Sequence, residues 1–68
     1  MIQFAVTTKD GEWTVFRDAK AVAHGMSRSE AVKLAEEFAY EAEEAGEDVQ
    51  LLIQDYTGQL KARYSGGT

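Results

Sequence analysis

The chain has 68 residues with no cysteine, no proline and one histidine, and its 12 acidic and 7 basic side chains give a formal net charge of −5. This length allows one small domain, and the composition excludes disulfides, zinc thiolates and a structural metal site as sources of stability. The acidic balance argues against a protein that coats nucleic acid through phosphate contacts, because such domains are usually basic. No apolar run approaches the roughly 20 residues of a membrane span. Because the start of the chain also lacks a signal-peptide pattern, we expect a cytoplasmic protein.

The first two predicted elements form a β-hairpin. Apolar side chains alternate over residues 2–8, which predicts a half-buried strand, and residues 12–17 predict its partner. Asp10-Gly11 lies between them and is a strong hairpin signal, since a type I′ turn needs positive φ at both central residues. This two-residue loop predicts the pairs Lys9–Glu12, Thr8–Trp13, Val6–Val15 and Phe4–Arg17.

A third strand is predicted over residues 20–24, after a tight turn at Asp18-Ala19. Alternation along this strand separates two alanines, which would face the core, from three larger side chains on the opposite side. The alanines are Ala21 and Ala23, and the larger side chains are Lys20, Val22 and His24.

A helix is predicted from Arg28 to Ala45. Ser27 and Glu30 have the spacing of a capping box, and Gly46 is a natural helix stop. Residues 27–48 contain eight acidic and two basic side chains, a local charge of −6, so the acidity of the chain is concentrated on this helix and its exit. A periodicity of 100° per residue predicts one buried stripe, formed by Ala31, Leu34, Ala35, Phe38, Ala42 and Ala45.

Two further strands follow the helix. Residues 49–54 predict a fourth strand with Val49, Leu51 and Ile53 facing inward, and residues 59–64 predict a fifth. A three-residue loop between them would place Lys61 opposite Ile53 on the core face, so a four-residue loop over residues 55–58 is preferred. That loop predicts the inward pairs Ile53–Leu60, Leu51–Ala62 and Val49–Tyr64.

The predicted fold class is α+β: a single antiparallel sheet in the order β-β-β-α-β-β, with one long helix packed on one face. Residues 1–64 form the single domain and residues 65–68 a flexible C-terminal tail. The other sheet face would be open to water. Its apolar members either are scattered exposed residues, which are normal, or form an interaction surface with a basic rim. The candidate interaction surface consists of Phe16, Lys20, Val22, His24, Leu52, Lys61 and Arg63.

The chain offers little for catalysis. His24 is the only imidazole, no cysteine is present, and no serine lies in a nucleophile-elbow or phosphate-loop pattern. The carboxylates of the helix lack the converging geometry that calcium needs. We therefore expect no enzymatic activity, no cofactor, no metal and no small-molecule ligand.

The order of these features resembles a family of small bacterial proteins known as domain of unknown function 2188. The resemblance rests on Gly11-x-Trp13-x-Val15, on the helix start Ser27-x-Ser29-Glu30-Ala31, on residues 49–53 and on Gly58 before the last strand. Asp18-Ala19 stands where the family has a glycine turn, and the helix is longer. The family implies a compact α+β domain without assigned activity, and it lends no catalytic residues.

The helix start after three strands is also similar to the N-terminal part of HicB-type antitoxins, which are related to double-stranded-RNA-binding folds. Two hypotheses follow from the sequence. The first is a non-catalytic interaction module that uses its outer sheet face for a protein partner or for a second copy of itself. The alternative is an antitoxin-like or RNA-associated regulatory domain, against which the acidic helix argues.

Overall fold

The fold is seen in a computed structural model that describes the backbone of residues 1–66 and the side chains of residues 1–63. A helix covers one face of a sheet whose strand order is β3-β2-β1-β4-β5. The elements of the described residues are β1 (Ile2–Lys9), β2 (Glu12–Arg17), β3 (Lys20–Met26), α1 (Arg28–Glu44), β4 (Val49–Gln54) and β5 (Leu60–Gly66).

The sheet is mixed, so the prediction of an antiparallel sheet is wrong in one pair of strands. β1 lies in the centre, antiparallel to β2 and parallel to β4. The cause is the odd number of strands before the helix. β3 runs in the same direction as β1, and α1 carries the chain back across the sheet, so β4 starts in that direction again.

Both tight turns in the first half of the chain form as predicted. Asp10 (φ 55°) and Gly11 (φ 82°) adopt the positive φ values of a type I′ turn, and the predicted β1–β2 register is confirmed. At the second turn Asp18 takes φ 54° without a glycine. Its amide donates to the carbonyl of Gln3 (2.6 Å), and its carboxylate accepts from the amide of Gln3 (3.1 Å). These bonds tie the second turn to β1.

The capping box at the start of α1 is confirmed. Ser27 Oγ accepts from the amide of Glu30 (3.3 Å), and Glu30 Oε1 accepts from the amide of Ser27 (3.1 Å). Glu30 Oε1 also accepts from the Ser27 hydroxyl (2.9 Å). The bonds from the amide and the hydroxyl of Ser27 favour the ionised carboxylate and lower the pKa of Glu30. The helix ends at Glu44, one residue earlier than predicted, and Gly46 follows at φ 90°.

The buried face of α1 is rotated relative to the predicted stripe. Ala31 and Ala35 are buried as expected, but Val32 and Ala39 are buried as well, and Ala45 is exposed. Alanines in the middle of the contact bring the helix axis close to the sheet. The core between helix and sheet consists of Ile2, Phe4, Val6, Val15, Ala31, Val32, Ala35, Ala39, Val49, Leu51 and Ile53.

The predicted β4–β5 loop is wrong by one residue. The amide of Asp55 donates to the carbonyl of Gln59 (2.9 Å), which closes a three-residue loop, and Ile53 pairs with Lys61. The Lys61 side chain remains exposed because β5 is an edge strand of the sheet. It is 69% exposed, and its Nζ lies 3.4 Å from Asp55 Oδ2. Pairing Lys61 with Ile53 would be costly on a covered strand, but the edge of this sheet at β5 is not covered.

Strand β5 extends two residues into the predicted C-terminal tail. β5 includes Ser65 and Gly66, whose backbones pair with Gln50 and Val49. Residues 67–68 lie outside the described residues. Within the described part of the chain, no helix is long and apolar enough to cross a membrane.

Candidate interaction surface

A row of apolar side chains crosses the sheet on the face opposite to the helix. The register places Ala21 beside Phe16, Phe16 beside Ala5, Ala5 beside Leu52, and Leu52 beside Ala62. Residues paired across strands lie on the same face, so these five residues form one continuous line, here called the open-face row. The two outermost residues are exposed, and the three inner ones are half-buried by their neighbours.

Uncharged polar side chains flank the open-face row. On one side Gln3 Nε2 donates to Gln50 Oε1 (3.0 Å), and on the other side Thr7 pairs with Thr14. Charges occur only at the ends of this face among the described side chains. The Lys9–Glu12 pair lies beside the hairpin turn, and Asp18 lies in the β2–β3 turn, bound to the backbone of Gln3. The middle of the face is therefore apolar and neutral.

The candidate interaction surface predicted from the sequence is divided between the two faces of the sheet. Phe16 and Leu52 lie in the open-face row. His24 is exposed and lies on the same face, because it follows Ala23, which pairs with the buried Val15. The remaining four residues, Lys20, Val22, Lys61 and Arg63, lie on the helix side.

A β-bulge explains the placement of Val22. Phe16 pairs with Ala21 and Val15 with Ala23, so Val15 is opposed by both Val22 and Ala23. A bulge of this kind re-aims the extra residue. Val22, 43% exposed, consequently lines a cleft with Phe4 and Phe38 on the helix side. The simple alternation used for β3 was wrong at this residue.

Lys20 lies on the helix side because of its pairing. It pairs with Arg17, and Arg17 pairs with Phe4, whose side chain is in the core. Partners across strands share a face, so both cations lie on the helix side, at the edge of the sheet formed by the β2–β3 turn. The predicted position of Lys20 on the outer face was wrong.

A second bulge determines the positions of the β5 cations. Leu52 pairs with Ala62 and Leu51 with Tyr64, which leaves Arg63 as the extra residue. Arg63 Nη2 lies 3.7 Å from Glu36 Oε2 on α1, and Lys61 pairs with the inward-facing Ile53. Both cations therefore lie on the helix side, and Ala62, predicted inward, lies on the open face.

The basic rim predicted around Phe16 is absent from the open face of the described residues. Three alanines of the open-face row were not predicted to lie on this face. Ala5 could have been found by alternation, since it lies between the inward residues Phe4 and Val6. Ala21 and Ala62 depend on bulges for which the sequence carries no clear signal.

The helix side of the sheet also carries a concavity. Between the C-terminal half of α1 and β3, a cleft of about 420 Å³ has an apolar floor that includes Phe4 and Phe38, whose rings stack at 6.1 Å. Arg17 and Glu41 stand at its mouth. At the other end of the helix, Arg28 lies over the Trp13 ring at 5.8 Å. Within the described residues no three His, Asp or Glu side chains gather into a group that could hold a metal ion.

A comparison with known families confirms the resemblance predicted from the sequence. Residues 4–66 match the bacterial family described as "Uncharacterized protein conserved in bacteria (DUF2188)". The chain belongs to this family. No curated protein and no solved structure shows a significant match to the chain.

Proposed function

We propose that this protein is a non-catalytic interaction module that binds another protein surface through the open face of its sheet. The observation that carries the proposal is the open-face row, in which every strand contributes one apolar side chain to a single line. An antiparallel or mixed sheet with one solvated face normally presents polar residues there. Scattered apolar residues need no explanation, but a contiguous apolar patch with a polar border is typical of a docking surface.

The geometry of the row also favours protein over nucleic acid as the partner. A nucleic-acid surface needs cations around its stacking aromatic. Phe16 has none beside it in the register, where its neighbours are Ala5 and Ala21. Arg63, on the helix side of the sheet, is already 3.7 Å from a carboxylate of α1. No observation favours the antitoxin-like or RNA-associated alternative, so it is not proposed.

Thiol labelling tests this proposal because the chain contains no cysteine. Ala21→Cys and Ala62→Cys each place one thiol at an end of the open-face row, and Ala45→Cys is the matched control at the exposed C-terminal end of the helix. The labelling rates of all three are measured in intact cells and in dilute purified protein. Dividing each open-face rate by the Ala45→Cys rate corrects for reagent entry.

We expect the corrected rate of at least one open-face thiol to fall several-fold in cells, because a bound partner covers it while position 45 stays exposed. Corrected rates that are equal in cells and in dilute protein at both positions contradict the proposal. Protection of position 45 instead of positions 21 and 62 would place the interface on the helix and would also contradict it.

A further inference from the structure

We infer that the partner of the open face is a second copy of this chain, packed face to face against the first. This inference rests on the proposed function and adds the identity of the partner. The order of side-chain sizes in the open-face row, the distribution of charge and the area of the face support it.

Side-chain size alternates along the row. In strand order from β3 to β5 the residues are Ala21, Phe16, Ala5, Leu52 and Ala62, so each large side chain lies between two alanines. Two layers interdigitate when large residues of one face small residues of the other. A two-fold axis running along the strands midway between Phe16 and Ala5 places Phe16 of each copy against Ala5 of the other, and Leu52 of each copy against Ala21 of the other. The row is therefore complementary to itself, as an isologous interface requires.

The charge distribution permits a copy and opposes a strongly charged partner. Two identical charged surfaces repel, but the middle of this face is neutral, with Gln3, Gln50, Thr7 and Thr14 around the row. The segment with a charge of −6, residues 27–48, belongs mostly to the helix on the opposite side of each sheet. In a face-to-face pair the two helices are farther apart than the ~10 Å between stacked sheets. That distance exceeds the Debye length of about 8 Å at physiological salt, so helix repulsion is screened.

The area of the face predicts weak, concentration-dependent pairing. Five strands at about 4.8 Å spacing span roughly 24 Å. The open-face row and the polar pair on each side of it span about 20 Å along the strands, which gives an area near 480 Å² per copy. Stable interfaces usually bury about 800 Å² per partner. We therefore expect a dissociation constant on the order of 10–100 μM rather than an obligate dimer.

Sedimentation velocity of the purified chain from about 5 μM to about 1 mM, a range that brackets the expected dissociation constant, tests the inference. The wild type should shift from monomer to dimer across this range. Phe16→Lys places a charge in the row and should weaken pairing at least about 30-fold, the loss typical of a hot-spot side chain. Tyr40→Lys, at an exposed aromatic on the helix, is the matched control and should pair like the wild type.

Ala5→Leu distinguishes shape-specific pairing from nonspecific hydrophobic association. The substitution adds apolar surface but fills a position that must accept a large side chain of the other copy, so it should weaken shape-specific pairing. Nonspecific hydrophobic association would instead become stronger. Circular dichroism establishes that each variant is folded, and Ala21→Lys at an exposed edge position repeats the charge test should Phe16→Lys not fold. Pairing by folded Phe16→Lys or Ala21→Lys as strong as that of the wild type overturns the inference.

The outcomes of this experiment and of thiol labelling distinguish the two proposals. A wild type that remains monomeric up to 1 mM while its open-face thiols are protected in cells overturns the second-copy inference and leaves the proposed function intact, with a different protein as partner. A monomer without protection in cells overturns both.

Discussion

Leu51 and Leu52 are neighbours in β4 that lie on opposite faces of the sheet, and replacing each by alanine tests the assignment of the two faces. Leu51 is fully buried under the helix, whereas Leu52 is half-buried in the open-face row. The two substitutions remove the same atoms from the same strand, so differences in β-propensity largely cancel. What remains is the difference in burial.

The expected magnitudes differ widely. Leu51→Ala leaves a cavity in the core and should cost about 3 kcal/mol, whereas Leu52→Ala loses only part of a leucine's transfer free energy, about 1 kcal/mol. A domain of 68 residues has a total stability of about 3–10 kcal/mol. Leu51→Ala therefore removes a large fraction of the free energy of unfolding.

Urea unfolding followed by the fluorescence of the single tryptophan, Trp13, measures both variants. The protein is kept near 1 μM, below the expected dissociation constant, so that pairing does not contribute. With a urea dependence of about 1 kcal/mol/M, the two midpoints should differ by about 2 M. Should Leu51→Ala not fold, Leu51→Val is compared with Leu52→Val. Equal midpoints, or a lower midpoint for the Leu52 variant, would refute the assignment of faces.

Four further predictions concern the turns, the helix start and an ion pair. Ser27→Ala removes the capping box and should lower the free energy of unfolding by about 1 kcal/mol, measured by urea unfolding; no loss would contradict the cap. Gly11→Ala forces an alanine to φ 82° and should cost about 1–2 kcal/mol in the same assay; an unchanged midpoint would show that the turn is not type I′. Bonds from the hydroxyl and amide of Thr57, from the amide of Gln59 and from Lys61 lower the pKa of Asp55 from 3.8 to about 2. The ionised carboxylate therefore stabilises the turn above about pH 4, and this contribution is lost as the pH falls toward 2; urea midpoints of the wild type and Asp55→Asn should converge on acidification, and parallel curves would contradict this. Because both partners of the Arg63–Glu36 pair are about half exposed, Arg63→Gln should change stability by less than about 0.5 kcal/mol, and a larger loss would mean that the pair is better shielded than the structure indicates.

The first hairpin and the helix start could be predicted in detail because their signals are local. Asp10-Gly11 permits few turn types, and a two-residue loop determines every pair between β1 and β2. The capping box is likewise encoded by two side chains three residues apart, Ser27 and Glu30. In both places the sequence within one turn is sufficient to define the structure.

The edge strands could not be predicted in the same way. Their faces depend on bulges at Val22 and Arg63, where one extra residue reverses the alternation of the side chains around it. The four-residue loop predicted before β5 would keep Lys61 out of the core, but an edge strand leaves that side chain in solvent without it. The helix crossover determines the parallel β1–β4 pair, a relation between distant segments that no local pattern records.

These corrections also changed the composition of the candidate site. Phe16 and Leu52 were found from the sequence because they lie in regular parts of β2 and β4, next to the buried residues Val15 and Leu51. The cations predicted beside them lie on the edge strands, where alternation fails. The open face therefore carries a neutral apolar row in place of the predicted apolar patch with a basic rim, and a protein remains the favoured partner.

The most direct test of the account is the backbone amide spectrum of the ¹⁵N-labelled protein at two concentrations. One is about 10 μM, the lower end of the expected range of dissociation constants, and the other is about 1 mM, well above that range. Dilution should move the amide signals of the open-face row and its flanking residues, centred on Phe16, Ala5 and Leu52, and should leave the signals of α1 unchanged. A spectrum that is the same at both concentrations, or changes confined to α1, would contradict the claim that this protein meets its own copy through the open face of its sheet.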